Sequence, residues 1–427
     1  MNRMKIGVLL KDYKKQEGGA YSYYNALVEG IAAYQFHKDL EFVFIIVDSA
    51  ADKSAPKKNY VIEPAKTVER KHFFLNMLNS IAKLKGISYL PLSGKIQASF
   101  QKKYNEEIKL KLIENEIDIV YSLTPYYSDL DYPTVVTHWD IGHKSTYVLP
   151  ELIYNHEYNS RSDYYKKILP KAFSIFCESE AGKEELCRYQ HINPERVHVV
   201  PLFPGNIIDI RLTEEQEKEL LDKYGLSGKD FFIYPAQFWP HKNHFNLVMA
   251  FDIFNKQYPG TKLILSGGDM GNLKYIKALV TELELEECIF FPGFVSNEEL
   301  HAFYKNAISM VMPTLLGPTN MPPIEAQALG CRIICSNFAG HKESLGDGPI
   351  YIDPLDREAI FKGMENHYLN KDIFESTKVA HTTINDALNA INNAFLSLAP
   401  IRKTYPLNFG HLKILLALWL FSYPSFL

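Results

Sequence analysis

Two stretches of the chain crowd polar chemistry into a few positions. In YPAQFWPHKNHFNLVMAF, Tyr234 to Phe251, an apolar run gives way to Gln237, Trp239, His241, Lys242, Asn243 and His244 before an apolar helical period resumes. A lysine at such a strand-to-helix mouth can set an ammonium beside a phosphate as a point charge. His241 and His244 are spaced i, i+3 with no carboxylate partner, so they read as loop histidines rather than metal ligands. Trp239 reads as a packing residue. The second stretch is PTLLGPTNMPPIEAQALGC, Pro313 to Cys331. Pro322 and Pro323 suit the first turn of a helix, where backbone N–H groups have no intrahelical partner. The amides of Thr319, Asn320 and Met321 would then point outward, ready for an anion. Glu325, just inside that helix, can accept two hydrogen bonds from a vicinal diol such as a ribose. Its alternative role is to complement the helix dipole, worth about 0.3–1 kcal/mol. Gly18-Gly19 is a plain turn or a place where amides approach an anion.

These groups need a scaffold that gathers them. Short β-rich runs alternate with helical patterns, as expected for parallel sheets covered by helices. The first half offers KIGVLL, EFVFIIVD, IDIVYSL, PTVVTHW, FSIFCES and RVHVVPL. The second offers DFFIYPAQ, KLILSGG, CIFFPGF, ISMVMPT, RIICSN and PIYID. The predicted fold class is α/β, with two doubly wound Rossmann-like domains over 1–205 and 206–380, facing a central cleft. Residues 381–427 remain a helix and apolar tail of uncertain placement. Ligands of open parallel sheets bind beyond the carboxyl ends of strands. Gly18 and Gly19, His138 and Asp140, Lys242, and the 317–325 stretch all follow predicted strands.

A chain of 427 residues suits two cores. Its net charge of −4 argues against a general nucleic-acid binder. Five cysteines show no zinc-ligand spacing, which predicts a reducing compartment without a disulfide framework. No signal-peptide pattern opens the sequence, and the apolar run Ile414 to Phe421 is too short to span a bilayer. The expected location is cytoplasmic, with peripheral contact at the inner membrane face. That contact is assigned to residues 64–111, where ten Lys/Arg against three acids give +7 in an otherwise acidic chain. Interleaved apolar groups, as in HFFLNMLNSIAKLKGISYL, fit an anionic lipid surface or a solvated helix pair.

Taken together, the motifs resemble the retaining glycosyltransferases of family 4, which have the two-Rossmann GT-B fold. The resemblance spans roughly residues 5–375. AQFWPHKN, FFPGFVSNEELHAFYKNA, GPTNMPPIEAQALGC and AGHKESLGDGPIYIDP carry it in the second half. EGGAYSYYNAL, THWDIGH, CESEAGKEEL and NPERVHVVPL carry it in the first. It implies that Lys242 neutralises a donor diphosphate and that Glu325 holds the nucleotide ribose. The amides of Thr319, Asn320 and Met321, with those of Gly18 and Gly19, complete the anion site. It also implies His138 as a contact to the transferred sugar, with Asp140 orienting its loop. Two positions depart from the family pattern. Gln237 stands where an arginine is usual, and Gly317 where a glutamate usually contacts the donor sugar.

The implied reaction moves a sugar from a nucleotide-diphosphate donor to a glycan or lipid-linked hydroxyl with anomeric retention, in bacterial surface polysaccharide assembly. The donor is a substrate; no resident cofactor or metal is expected, because no paired Asp motif accompanies the anion site. Three rivals share parts of this pattern: a GT-B nucleotide-sugar epimerase, a non-catalytic nucleotide-sugar-binding subunit, and a Rossmann oxidoreductase, which the lack of GxGxxG disfavours.

Overall fold

The computed structural model describes residues 3–10, 19–46, 59–61, 91–125, 130–146, 149–152, 157–373 and 381–404. It holds two all-parallel sheets. The first comprises β1 (Met4–Leu10), β2 (Leu40–Ile46), β3 (Asn59–Val61), β4 (Ile119–Ser122), β5 (Thr134–His138), β6 (Ser174–Cys177) and β7 (Val197–Val199), in the order β3-β2-β1-β4-β5-β6-β7. The second comprises β8 (Phe231–Pro235), β9 (Lys262–Ser266), β10 (Ile289–Gly293), β11 (Ser309–Met312), β12 (Ile333–Ser336) and β13 (Ile350–Ile352), in the order β10-β9-β8-β11-β12-β13. Strands β4, β5, β6, β11 and β12 are buried along their whole length. Helices on both faces require this, and it explains the unbroken apolar runs.

Strand order reverses beside β1 in one sheet and beside β8 in the other. Crevices open at such switch points, beyond the carboxyl ends of the strands. The helix Gly19–Ala33 begins near one crevice, and the Gln237–Lys242 loop lies at the other. The two crevices face each other. Most of the predicted strands thus appear where the sequence put them. The three-residue β3 does not, because so short a run gives no period to read.

The C-terminal helix Ile384–Thr404, unplaced by sequence, follows the second domain in the chain yet packs on the first. Ala387, Leu388, Ile391, Ala394 and Phe395 are buried there, and Phe395 is fully enclosed. Its ring meets Phe42, Phe176 and Tyr121 edge-on at centroid distances of 5.5, 5.6 and 5.7 Å. Gly30 permits this approach: a Cβ there would lie 2.7 Å from Ile384 Cδ1. Polar groups fix the register, with His37 N donating to Asn392 Oδ1 at 2.9 Å. Met321 of the second domain is also buried in this cluster, so the two domains share apolar core.

Of the basic 64–111 segment, 64–90 lies outside the described residues. Residues from Pro91 onward form part of the helix Pro91–Glu114. Within it, Lys109 pairs with Asp131 at 2.7 Å and Lys111 with Glu114 at 2.7 Å.

Truncating a fully buried aromatic typically costs about 3–5 kcal/mol. Phe395→Ala should therefore destabilise the first domain by that order. A denaturant titration read from first-domain tyrosines checks it, and an unchanged midpoint would mean that the helix contributes no core packing.

Candidate active site

The loop after β8 is built around Asn243. Its backbone is left-handed, with φ 58°, and its buried Nδ2 donates to Pro313 O at 2.8 Å and Pro354 O at 2.7 Å. Asparagine tolerates that conformation better than most residues. Tyr234 Oη donates to Lys242 O at 2.9 Å from within the core. His244 is a core residue, stacked on Phe238 at 4.3 Å, and burial pushes its pKa down to about 3. His241 stacks on Trp239, and its Nδ1 contacts the Glu151 carboxylate of the first domain. Gln237 accepts from Trp239 Nε1 at 3.1 Å.

With its backbone fixed, Lys242 is aimed by a relay of hydrogen bonds. Its Nζ donates to Asn320 Oδ1 at 2.9 Å. Asn320 Nδ2 lies 3.1 Å from His341 Nε2, and His341 Nδ1 lies 2.8 Å from Ser336 O. A carbonyl can only accept, so Nδ1 carries the His341 proton and Nε2 accepts from the amide. Burial lowers the His341 pKa to about 4, which keeps the ring neutral as the relay needs. Burial also lowers the Lys242 pKa to about 8, partly offset by the facing carboxylates of Asp140 and Glu151. Lys242 is therefore a half-buried lysine of the cleft wall.

Asn320 immediately precedes the helix Met321–Ala328, whose first turn contains Pro322 and Pro323. Among the described residues, no chain partner takes up the amides of Thr319, Asn320 and Met321. Those amides and the ammonium face a cavity of about 740 Å³ between the domains. Gly19, Gln237, Lys242, Thr319, Asn320, Met321 and Glu325 all line it. Gly18 lies outside the described residues. Glu325 is buried, and burial raises its pKa to about 7, moderated by the Gly205 backbone and the Tyr304 hydroxyl. Gly205 belongs to the segment joining the domains, so Glu325 sits where that connection meets the cleft.

His138 and Asp140 do not line the cavity; Trp139 between them does. His138 is buried, with Nδ1 3.2 Å from Tyr165 Oη and Nε2 without a hydrogen-bond partner among the described residues. The Tyr165 hydroxyl gives its proton to Asp140 O, so Nδ1 is the protonated nitrogen of His138 and Nε2 is left as an acceptor. Burial lowers this histidine to about 4. Asp140 pairs with Arg161 and accepts from Gly142 N at 2.9 Å. Burial pushes its carboxyl up, but Arg161 and the Gly142 amide outweigh that and hold it below the usual range.

Carboxylates also bind the two domains directly. Besides Glu151 on His241, Glu343 Oε1 and Oε2 accept from Glu180 N at 2.8 Å and Ala181 N at 3.1 Å, capping a first-domain helix from the second domain. Thr319 Oγ1 donates to Glu178 at 2.5 Å across the cleft. Sequence reasoning passed over Glu151, Glu178, His341 and Glu343. His341 and Glu343, inside AGHKESLGDGPIYIDP, and Glu178, inside CESEAGKEEL, lay in stretches already singled out; Glu151 did not. Among the described residues no three His, Cys, Asp or Glu side chains gather as a metal-binding group.

Two Rossmann-like domains with facing strand ends and a shared cleft constitute the GT-B fold. Within it, residues 216–380 match the family model described as "Glycosyl transferases group 1". The chain is 24% identical over 192 residues to the O-antigen chain mannosyltransferase RfbU of Salmonella typhimurium, covering 45% of this chain and 50% of the relative. It is 30% identical over 196 residues to the O-antigen chain mannosyltransferase B of Escherichia coli, with the same coverage of 45% and 50%. The chain thus spans about half the length of these curated relatives. Among solved structures, Anabaena Alr3699/HepE in complex with UDP-glucose superposes with a TM-score of 0.60 at 15% identity, covering 92% of this chain and 99% of that one.

The perturbed lysine generates a pH prediction. Below about pH 8 Lys242 carries its charge; above it, the empty site loses the proton. Affinity for a free nucleoside diphosphate should therefore weaken as pH rises beyond that point, by up to about tenfold per unit. Calorimetry with UDP, GDP and dTDP measures this, and Lys242→Ala should bind weakly with no slope in the same window. An equal slope in the variant would assign the titration to another group.

Proposed function

We propose that this protein is a retaining glycosyltransferase, transferring a sugar from a nucleotide-diphosphate donor to a hydroxyl of a glycan or lipid-linked acceptor in bacterial surface polysaccharide assembly. One observation carries the reading: Lys242, held by Asn320, faces the cleft together with the open amides of Thr319, Asn320 and Met321. A diphosphate leaving group gains negative charge as the glycosidic bond breaks. A preorganised cation and backbone donors stabilise that charge most where it develops. The match of residues 216–380 to the group 1 glycosyl transferases supports the class. The O-antigen mannosyltransferase relatives support the setting.

In this reading Glu325 accepts from the ribose hydroxyls and Gln237 lies beside the diphosphate. His138, through its Nε2, approaches the transferred sugar once Trp139 shifts. The departing phosphate oxygen takes the acceptor proton on the same face, which accounts for retention without a covalent enzyme intermediate. Lys242 and the amides supply the electrostatics, so turnover proceeds without a divalent metal. Mass spectrometry of products from UDP-, GDP- and dTDP-sugars with a lipid-linked acceptor mixture tests the reading. Transfer should persist in EDTA, and Lys242→Ala should lower it by about 10²-fold, or about 2.7 kcal/mol. Nucleotide binding without transfer across the whole panel would instead favour a binding subunit.

The acceptor reading extends to the membrane. Residues 64–111 guide the protein to anionic lipid, since their excess of basic residues is set among apolar ones. Among the described residues no helix is long and apolar enough to cross a membrane. Binding to anionic vesicles should fall as salt shortens the Debye length, and Lys83, Lys85, Lys102 and Lys103 replaced by Gln should reduce it. Equal partitioning onto neutral vesicles would remove the electrostatic role.

A further inference from the structure

Glu178 is the first residue beyond β6, on the wall opposite Lys242. It lines the cavity beside Tyr23 and Trp139, and its Oε1 accepts from Thr319 Oγ1 at 2.5 Å. That is the one hydrogen bond its side chain makes with the described residues. Its other oxygen is left to the cleft.

Three carboxyl or ammonium groups meet one loop and the helix that follows it. Glu178 touches Thr319, Lys242 touches Asn320, and Glu325 follows inside the helix. Assigning Glu325 to the nucleoside and Lys242 to the diphosphate leaves Glu178, on the same cavity, for the group beyond the diphosphate. The second domain cannot readily offer a side chain there from position 317. Gly317 has φ 108°, and a Cβ on it would sit 3.0 Å from Asn320 Nδ2 and 3.1 Å from Thr319 O. A carboxyl facing that space comes from the other domain instead.

We propose that Glu178 binds a hydroxyl of the transferred sugar and sets which sugar the cleft accepts, an inference that rests on the glycosyltransferase reading above. One carboxyl oxygen is pinned by Thr319, so the direction of the other is set. A pinned oxygen distinguishes hydroxyls of opposite configuration at one ring carbon, because a buried polar group left unpaired penalises the wrong epimer. Burial, with Asp140 adding to it, holds Glu178 well above the usual carboxylate range. A neutral carboxyl beside a diphosphate avoids charge repulsion and can donate as well as accept.

The test uses the full chain as wild type, Glu178→Gln and Glu178→Ala. Calorimetry compares free UDP, GDP and dTDP with their sugar conjugates, including epimeric pairs such as UDP-glucose and UDP-galactose. Both variants should keep free-diphosphate affinity within about threefold, a change of well under 1 kcal/mol. Affinity for the preferred nucleotide sugar should fall at least about tenfold in Glu178→Ala, and the preference between epimers should collapse. Glu178→Gln keeps the side-chain shape and serves if the alanine variant does not fold; it too should change the epimer ratio. Unchanged epimer preference in a folded variant overturns the proposal, as does an equal loss of free diphosphate, which would make Glu178 a support of the loop. Wild-type protein that binds no nucleotide at all overturns the glycosyltransferase reading itself, which the diphosphate arm reports separately.

Discussion

A partly buried ammonium is the constraint around which this protein is arranged. Removing a cation from water costs several kcal/mol unless other groups compensate it. Lys242 is compensated by one direct hydrogen bond to Asn320 and by the more distant fields of Asp140 and Glu151. Neither carboxylate is committed to it: Asp140 is paired with Arg161, and Glu151 with His241. The ammonium is thus left under-neutralised at the mouth of a cavity, a state that a bound anion would relieve. Asn320 cannot drift, because a neutral His341 holds its amide from the other side.

The domain arrangement serves the same end. The loop bearing Lys242 comes from the second sheet, whereas the carboxylates that temper its charge come from the first. Their distance depends on how closely the domains approach. Glu343 capping the helix Glu180–Gln190, Glu151 on His241 and the buried Met321 set that approach. Domain packing therefore acts on the proton affinity of a residue in the cleft.

Much of this was legible in sequence for a definite reason. Strands buried on both faces are written as continuous apolar runs, and the residues after them fall at the crevices by the geometry of parallel sheets. Lys242, the amides at Thr319–Met321 and Glu325 could be placed on that basis. What escaped depends on contacts distant in sequence. Glu178 looks like one more acid at a helix start, and its meaning comes from Thr319, 141 positions away. His341 becomes meaningful only once its second nitrogen is seen on Asn320. His138 was read beside the cleft, but it lies behind Trp139 because the strand turns its side chain toward Tyr165. The helix Ile384–Thr404 has an ordinary amphipathic pattern, and nothing in that pattern says which sheet it covers.

That helix also bears on the order in which the protein can be made. A domain emerging from the ribosome folds once its core residues are all available. Here β1 is synthesised before the second sheet, but Ile391 and Phe395, which complete the same core, come after that whole sheet. The second domain, whose core cluster lies between Ile207 and Met364, can close on its own while the first still shows apolar surface near Phe42, Tyr121 and Phe176. Translation thus reverses the usual sequence: the domain made first is finished last, and a nascent chain carries its unsealed half until nearly all of the described residues have been translated.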